Sequence, residues 1–232
     1  EVFYWRMNGR EIVSAASVVL PSDTNWRVVG RGDYNGDGRS DLMWRHTVSG
    51  IVHLWLMNGS TITGSAQVAV VGDLNWRIVG DEDGDGDGMA DLTWFHATTG
   101  QVYFWQMNGA TIVDADEVAI VSDLNWQVVA DGDYTGDGRT DLLWRHGVDG
   151  KVYYWQMDGS TIQLSSRVSI VSDLNWQVAG SGDYNGDGWA DGLGVHAVTG
   201  EIYHGQQIAF LTLRGGQWGF LTSLDWKVVN TN

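Results

Sequence analysis

Apolar residues in this chain fall in short runs that fill both alternate faces. In Val152-Tyr153-Tyr154-Trp155-Gln156-Met157 one face carries Tyr153, Trp155 and Met157, and the other carries Val152 and Tyr154. A sheet with one wet face would alternate apolar with polar, so two apolar faces place each small sheet between two others. Asn8-Gly9, Asn58-Gly59, Asn108-Gly109 and Asp158-Gly159 separate pairs of runs. Asn-Gly in that position signals a hairpin, because both central residues of a type I′ turn need positive φ. The second repeat shows the plan, with strands expected at 75–80, 91–96, 101–107 and 111–121. The plan recurs every 50 residues: Trp26, Trp76, Trp126, Trp176 and Trp226 share one phase, and Trp5, Trp55, Trp105 and Trp155 share another. Repeated four-stranded antiparallel sheets of this length, packed face to face, make an all-β propeller.

Between the first two strands of each repeat lies a polar loop. In Asp33-Tyr34-Asn35-Gly36-Asp37-Gly38-Arg39-Ser40-Asp41, oxygen-bearing side chains occupy positions 1, 3, 5 and 9, with glycine at position 6. Alternate side chains can point inward around a hard cation while the glycine permits a sharp turn. Position 7 would offer a backbone carbonyl. The loop returns at 83–91, 133–141 and 183–191 without slippage. Position 12, where an EF-hand carries its bidentate Glu, holds Trp44, so a calcium switch of that type is not expected.

Charge changes the picture only after these loops are subtracted. The chain has 232 residues and a net charge of −16. Thirteen of its 29 Asp and Glu residues lie in the four loops, and four bound dications would halve the net charge. The remaining acidity argues against nucleic acid and anionic membranes as partners. There is no cysteine, hence no disulfide. No apolar run reaches 18 residues, so no membrane insertion is expected. The chain opens at Glu1 without a leader pattern, as a processed or excised protein would.

The segment Asp-Tyr-Asn-Gly-Asp-Gly-Arg-Ser-Asp-Leu-Met-Trp at 33–44 resembles the FG-GAP/VCBS repeats of bacterial secreted proteins, whose loop type also lies in the propeller of integrin α-subunits. The resemblance covers nearly the whole chain and implies a propeller stabilised by about four structural Ca²⁺ ions. It implies ligand sets of Asp33, Asn35, Asp37, the Arg39 carbonyl and Asp41; of Asp83, Asp85, Asp87, the Met89 carbonyl and Asp91; of Asp133, Thr135, Asp137, the Arg139 carbonyl and Asp141; and of Asp183, Asn185, Asp187, the Trp189 carbonyl and Asp191. Thr135 departs from the pattern, and its hydroxyl makes the third site the weakest. In such propellers the loop joins the innermost strand to the second, which sets the blades at about 23–72, 73–122, 123–172 and 173–222. Residues 1–22 and 223–232 would close a fifth blade lacking its second strand and its metal loop. That blade is three-stranded, completed by a neighbouring molecule, or cut from a larger ring.

Other periodic residues carry two readings each. His46, His96, His146 and His196 share a phase; a convergent zinc ring is one reading, and a histidine hydrogen-bonded to a turn backbone is the simpler one. The periodic tryptophans suit inter-blade packing. Charge varies at one phase through Arg27, Arg77, Gln127, Gln177 and Lys227, and at another through Arg45, Phe95, Arg145 and Val195. Variation at fixed geometry suits a ligand-contacting rim, and Arg27, Arg77, Arg45 and Arg145 are its candidates. The fourth repeat places Gly192, Gly194 and Gly205 where earlier repeats have Leu, Trp and Trp. Either a terminal repeat has relaxed, or a ligand cavity has opened with Trp189 or Trp218 at its wall.

No catalytic motif is recognisable. The expected function is a secreted, calcium-stabilised binding module for glycan or an extracellular protein surface. The alternatives are a self-assembling protein that forms homo-oligomers through the incomplete blade, and an accessory domain of a polysaccharide-active enzyme.

Overall fold

The computed structural model describes residues 2–8, 11–205 and 216–220. Among them every regular element is a strand, and no helix is long and apolar enough to cross a membrane. Strands β1 (Val2–Asn8) and β2 (Glu11–Val18) pair as a hairpin. Blade one follows as β3 (Trp26–Gly32), β4 (Asp41–His46), β5 (Ile51–Asn58) and β6 (Thr61–Val70). Blade two holds β7 (Trp76–Gly80), β8 (Leu92–His96), β9 (Gln101–Asn108) and β10 (Thr111–Ile120). Blade three holds β11 (Trp126–Gly132), β12 (Asp141–His146), β13 (Lys151–Asp158) and β14 (Thr161–Ile170). Blade four holds β15 (Trp176–Gly182), β16 (Asp191–His196), β17 (Glu201–Gly205) and β18 (Gly216–Phe220). Each blade is an antiparallel meander in which sequence neighbours are sheet neighbours, and the blades stand around a propeller axis.

The double-faced strands supply a separate core for each seam between blades. On β13, Val152 and Tyr154 join Leu143, Ala130 and Ala190 in the seam between blades three and four. Tyr153, Trp155 and Met157 turn the other way, to Trp144, Leu142 and the blade-two residues Phe95 and Val102. The face assignment read from the alternation is the one observed. Blades one and two are joined in the same manner through Met43, Leu54, Ile78, Leu92 and Trp94.

The turn before each third strand is sterically committed to glycine. Gly50, Gly100 and Gly150 have φ of 72°, 74° and 69°. A Cβ on any of them would fall within 2.0 Å of the carbonyl oxygen of Val71, Val121 or Val171. Those same valines donate their N–H to the glycine carbonyls, at 2.9, 2.8 and 2.7 Å. The contact ties the turn to the segment leading into the next blade.

The hairpin β1–β2 repeats the outer half of a blade. A Cβ on Gly59 would lie 3.5 Å from the Tyr4 ring, and one on Gly159 would lie 3.6 Å from the Phe104 ring. The hairpin thus meets blade one as the outer half of blade two meets blade three. Trp5 marks what is missing: it is 59% exposed, whereas Trp55 packs at a tilt against Trp44 of the adjacent second strand, with centroids 4.7 Å apart. Among the described residues no second strand covers Trp5. The expected closing strand at 223–232, with Trp226 and Lys227, lies outside the described residues, as do residues 206–215.

Candidate metal loops and blade seams

Each loop is wound around the carboxylate at its first position. Asp83 Oδ1 accepts the Gly86 N–H at 2.7 Å and Oδ2 accepts that of Gly88 at 2.8 Å. Asp133 and Asp183 do the same, and Asp33 accepts the Gly38 N–H through Oδ2 at 2.6 Å and the Asp37 N–H through Oδ1 at 3.0 Å. The glycines at positions 4 and 6 all have positive φ, from 71° to 88°, the conformation that aims successive N–H groups at one anion. The carboxylate at position 9 is buried and spans two strands. Asp91 Oδ2 accepts the Gly84 N–H at 3.0 Å and Oδ1 accepts that of Met107 at 2.8 Å. Asp41 and Asp141 bridge Tyr34 to Met57 and Tyr134 to Met157 in the same way.

The second loop brings three acids together: ligand oxygens of Asp83, Asp85 and Asp91 all lie within 4.8 Å of one another. An all-oxygen donor set of this compactness fits a hard cation. Asp87 stands outside that trio, its Oδ1 accepting the Met89 N–H at 2.8 Å. In the third loop the Thr135 hydroxyl donates to Asp133 at 3.5 Å. Desolvation dominates the electrostatics of the buried acids. Burial pushes Asp91 and Asp141 up to about 7 despite their backbone N–H donors, while Asp183, in contact with several N–H groups, is held low.

The loops also bind the blades to each other. Carbonyls of Asp33, Asp83 and Asp133 accept the N–H of Ala90, Thr140 and Ala190 in the next loop, at 2.8, 2.7 and 2.6 Å. The side chain at position 7 lies over the position-4 glycine of the preceding loop. Met89 reaches Gly36, Arg139 reaches Gly86, and the Trp189 indole sits on Gly136, where a Cβ would fall 2.2 Å from Nε1. Arg139 also bonds the Asp85 carbonyl at 3.2 Å and Asp158 at 3.1 Å. Trp189 therefore serves loop stacking rather than the wall of an opened cavity in blade four. Trp218 lies on β18, and its side chain is outside the described residues.

The histidines take the simpler reading. Nε2 of His46, His96, His146 and His196 meets Oδ2 of Asp23, Asp73, Asp123 and Asp173 at 2.9 to 3.1 Å. Nδ1 accepts the N–H of Ser49, Thr99, Asp149 and Thr199. In His46, His96 and His196 Nδ1 is then the acceptor and the ring donates through Nε2, whereas His146 Nδ1 also meets the Asp149 carboxylate at 2.8 Å; in all four both ring nitrogens are engaged, leaving none for zinc.

Arg45 and Arg145 do not form a ligand rim. Arg45 is buried, and its guanidinium donates to carbonyls of the next blade: Val71 at 3.1 Å, Asp73 at 3.2 Å, and Trp76. It also lies over the Trp94 ring at 5.2 Å. Arg145 repeats the pattern on Val171, Asp173 and Trp176. Burial lowers the pKa of both guanidinium groups. Their spacing could not reveal this use, because the partners are backbone atoms of another blade. Arg27 and Arg77 remain exposed at an open cavity.

The second seam has a different chemistry. Phe95 takes the place of Arg45 and packs edge-on against Trp144, with centroids 5.7 Å apart. A pocket of about 210 Å³ opens there, lined by Val121, Trp126, Trp144, Tyr153 and Trp155. A similar pocket of about 180 Å³ lies at Pro21, Trp26, Trp44, His53 and Trp55. The buried indole N–H groups of Trp44 and Trp144 have no hydrogen-bond partner.

Comparison with known proteins agrees with this architecture. A profile of the FG-GAP-like repeat matches residues 133–193, which contain the third and fourth loops. No curated protein matches the sequence. Among solved structures, the chain is similar to a lectin from Agrocybe aegerita described as recognising non-reducing terminal N-acetylglucosamine. The TM-score is 0.54 at 21% identity, over 75% of this chain and 47% of the lectin. It is also similar to virginiamycin B lyase from Staphylococcus aureus, with a TM-score of 0.53 at 9% identity over 91% of this chain and 61% of the lyase. A third similarity is to the Tc holotoxin pore of Photorhabdus luminescens, with a TM-score of 0.51 at 20% identity over 75% of this chain and 8% of that one. The chain spans less than two thirds of the length of each. At these identities the likeness concerns the fold.

Proposed function

We propose that this protein is an extracellular, calcium-stabilised propeller that binds carbohydrate at its blade seams. The observation that carries the proposal is the aromatic pocket of about 210 Å³ at Trp126, Trp144, Tyr153 and Trp155, with an unpartnered Trp144 N–H. Aromatic faces suit the C–H faces of a sugar ring, and a buried donor without a partner gains from a sugar hydroxyl. Recurrence of the pocket at Trp26, Trp44 and Trp55 suits weak multivalent binding. The Agrocybe aegerita lectin makes glycans ending in N-acetylglucosamine the first probe.

A glycan array with Ca²⁺ and with chelator tests this. Expected are hits among N-acetylglucosamine-terminated glycans and loss of binding in Trp126→Ala. A silent array would reject the reading. Calcium is assigned to the four loops as a structural ion, with Asp83, Asp85 and Asp91 as the best-formed set. Excess chelator is then expected to lower Tm by about 10 °C, since a ligand bound to the native state alone stabilises by mass action. An unchanged melt would remove metal from the account. A second reading, self-association, has one feature in its favour: among the described residues β1 is paired on one edge, by β2, and such an edge can accept a strand. A mass independent of protein concentration would dismiss it.

A further inference from the structure

The open cavity at Arg27 and Arg77 lies apart from the loops and shares Trp126 with the second-seam pocket, and its charged side chains among the described residues are opposite in sign to the protein's net charge. It measures about 820 Å³ and is lined by the opening residues of the inner strands β3, β7 and β11 with the segments that lead into them. The chain carries 29 acidic residues against 13 Lys and Arg, yet among the described residues no Asp or Glu lines this cavity, while Arg27, Arg45 and Arg77 do. Arg45 is consumed by the seam. The other two are exposed. Arg27 spends one guanidinium nitrogen on the Thr24 and Trp26 carbonyls, at 2.5 and 2.9 Å. Arg77 has no hydrogen bond or ion pair among the described residues. The two occupy the same position on adjacent inner strands, one repeat apart. Between them the floor is apolar, with Val29, Val79 and Leu124, and Thr47 and Gln127 add neutral polar groups.

We infer that this axial cavity binds a carboxylate-bearing saccharide, a uronic acid residue, through Arg27 and Arg77. The inference rests on the carbohydrate-binding reading but uses different polar groups, the two sites meeting at Trp126. A guanidinium matches a planar carboxylate through two parallel N–H bonds. A protein of net charge −16 repels anions from most of its surface, so two exposed arginines in a cavity lined, among the described residues, by no carboxylate attract them selectively. The apolar floor takes the sugar's C–H face, and Gln127 and Thr47 suit its hydroxyls. A simple inorganic anion would use the arginines and leave the floor idle.

Calorimetric titration of the full chain with Ca²⁺, using methyl β-glucuronide, its methyl ester and methyl β-glucoside, tests this. The acid should bind at least ten-fold tighter than either neutral sugar. Arg27→Gln and Arg77→Gln should each weaken it about ten-fold with Tm unchanged, because both side chains are exposed, and leave N-acetylglucosamine binding intact. Arg77→Lys, which keeps the charge and loses the two-pronged geometry, should fall between. Equal affinity for acid and ester, no binding of the acid, or indifference to both Gln variants would overturn the inference. Inorganic sulfate binding as tightly as the glucuronide would overturn its saccharide part. Loss of the glucuronide result with N-acetylglucosamine binding retained would sink the axial site alone; loss of both would sink the carbohydrate reading itself.

Discussion

The seam between blades one and two and the seam between blades two and three have the same backbone frame and opposite solutions for one position. At the first, Arg45 fills the space with a buried cation that satisfies three carbonyls and lies over Trp94. At the second, Phe95 meets Trp144, and a pocket of about 210 Å³ opens beside it. Arg45 touches Val71, Trp76 and Trp94, the repeat equivalents of three residues that line that pocket. One substitution within a repeat thus decides whether a seam is filled by a strut or left with a pocket, while the loops and turn glycines hold the frame constant.

The largest expected effect tests that shared frame. Gly50→Ala and Gly100→Ala each drive a Cβ to within 2.0 Å of a backbone carbonyl at positive φ. Each should cost about 4 kcal/mol or more, equally at both seams, as read by chemical denaturation. A cost below about 1 kcal/mol at either would show that the turn is not the common anchor. Next comes the exchange of the two solutions. Arg45→Ala strands three carbonyls and should lose about 3 kcal/mol. Arg45→Phe copies the neighbouring seam and should lose about 1 kcal/mol, while adding a carbohydrate site. Phe95→Arg should close the second-seam pocket and remove its share of binding with little change in Tm. If both exchanges leave binding stoichiometry unaltered, the seam residue does not gate the pocket.

The smallest effect concerns pH and the loops beneath both seams. Asp91 and Asp141 are raised to about 7 by burial, above their unfolded value of about 3.9. The native state then holds more protons than the unfolded chain between those limits. Their contribution to metal-free stability is complete at acid pH and is lost as pH rises through about 7. A dication selects the ionised form, so the stabilisation by Ca²⁺ should grow over the same window, by a few degrees in Tm. Melts at pH 5 and pH 8, with and without Ca²⁺, measure it. An increment that is flat with pH would separate these carboxylates from metal binding.

Much of the molecule was legible because its information is local and repeated. The alternation on Val152 to Met157, the glycine-bounded turns and the 50-residue period each act within a few residues, and four copies remove chance. Spacing also marked His46 and its equivalents as turn-bonded, since the acceptor and its N–H donor are three residues apart. What failed to show was anything that crosses a seam. Arg45 and Arg77 look alike as exposed-rim candidates in a sequence. One is buried against carbonyls 26 to 31 residues away, and the other is exposed at the axial cavity. Trp189 likewise reads as an off-period ring until the preceding loop's Gly136 is placed beneath it.

By itself, then, the sequence determined the strand pattern, the blade period and the oxygen-rich loops, because turns, pleat and short loops depend on neighbouring residues and steric limits. Only the tertiary structure decided which arginines are struts, which tryptophan pairs leave a pocket, and where positive charge collects in an acidic protein. Those outcomes depend on which blade faces which and on the space left between them, and that is set by packing across chain distances that no local pattern records.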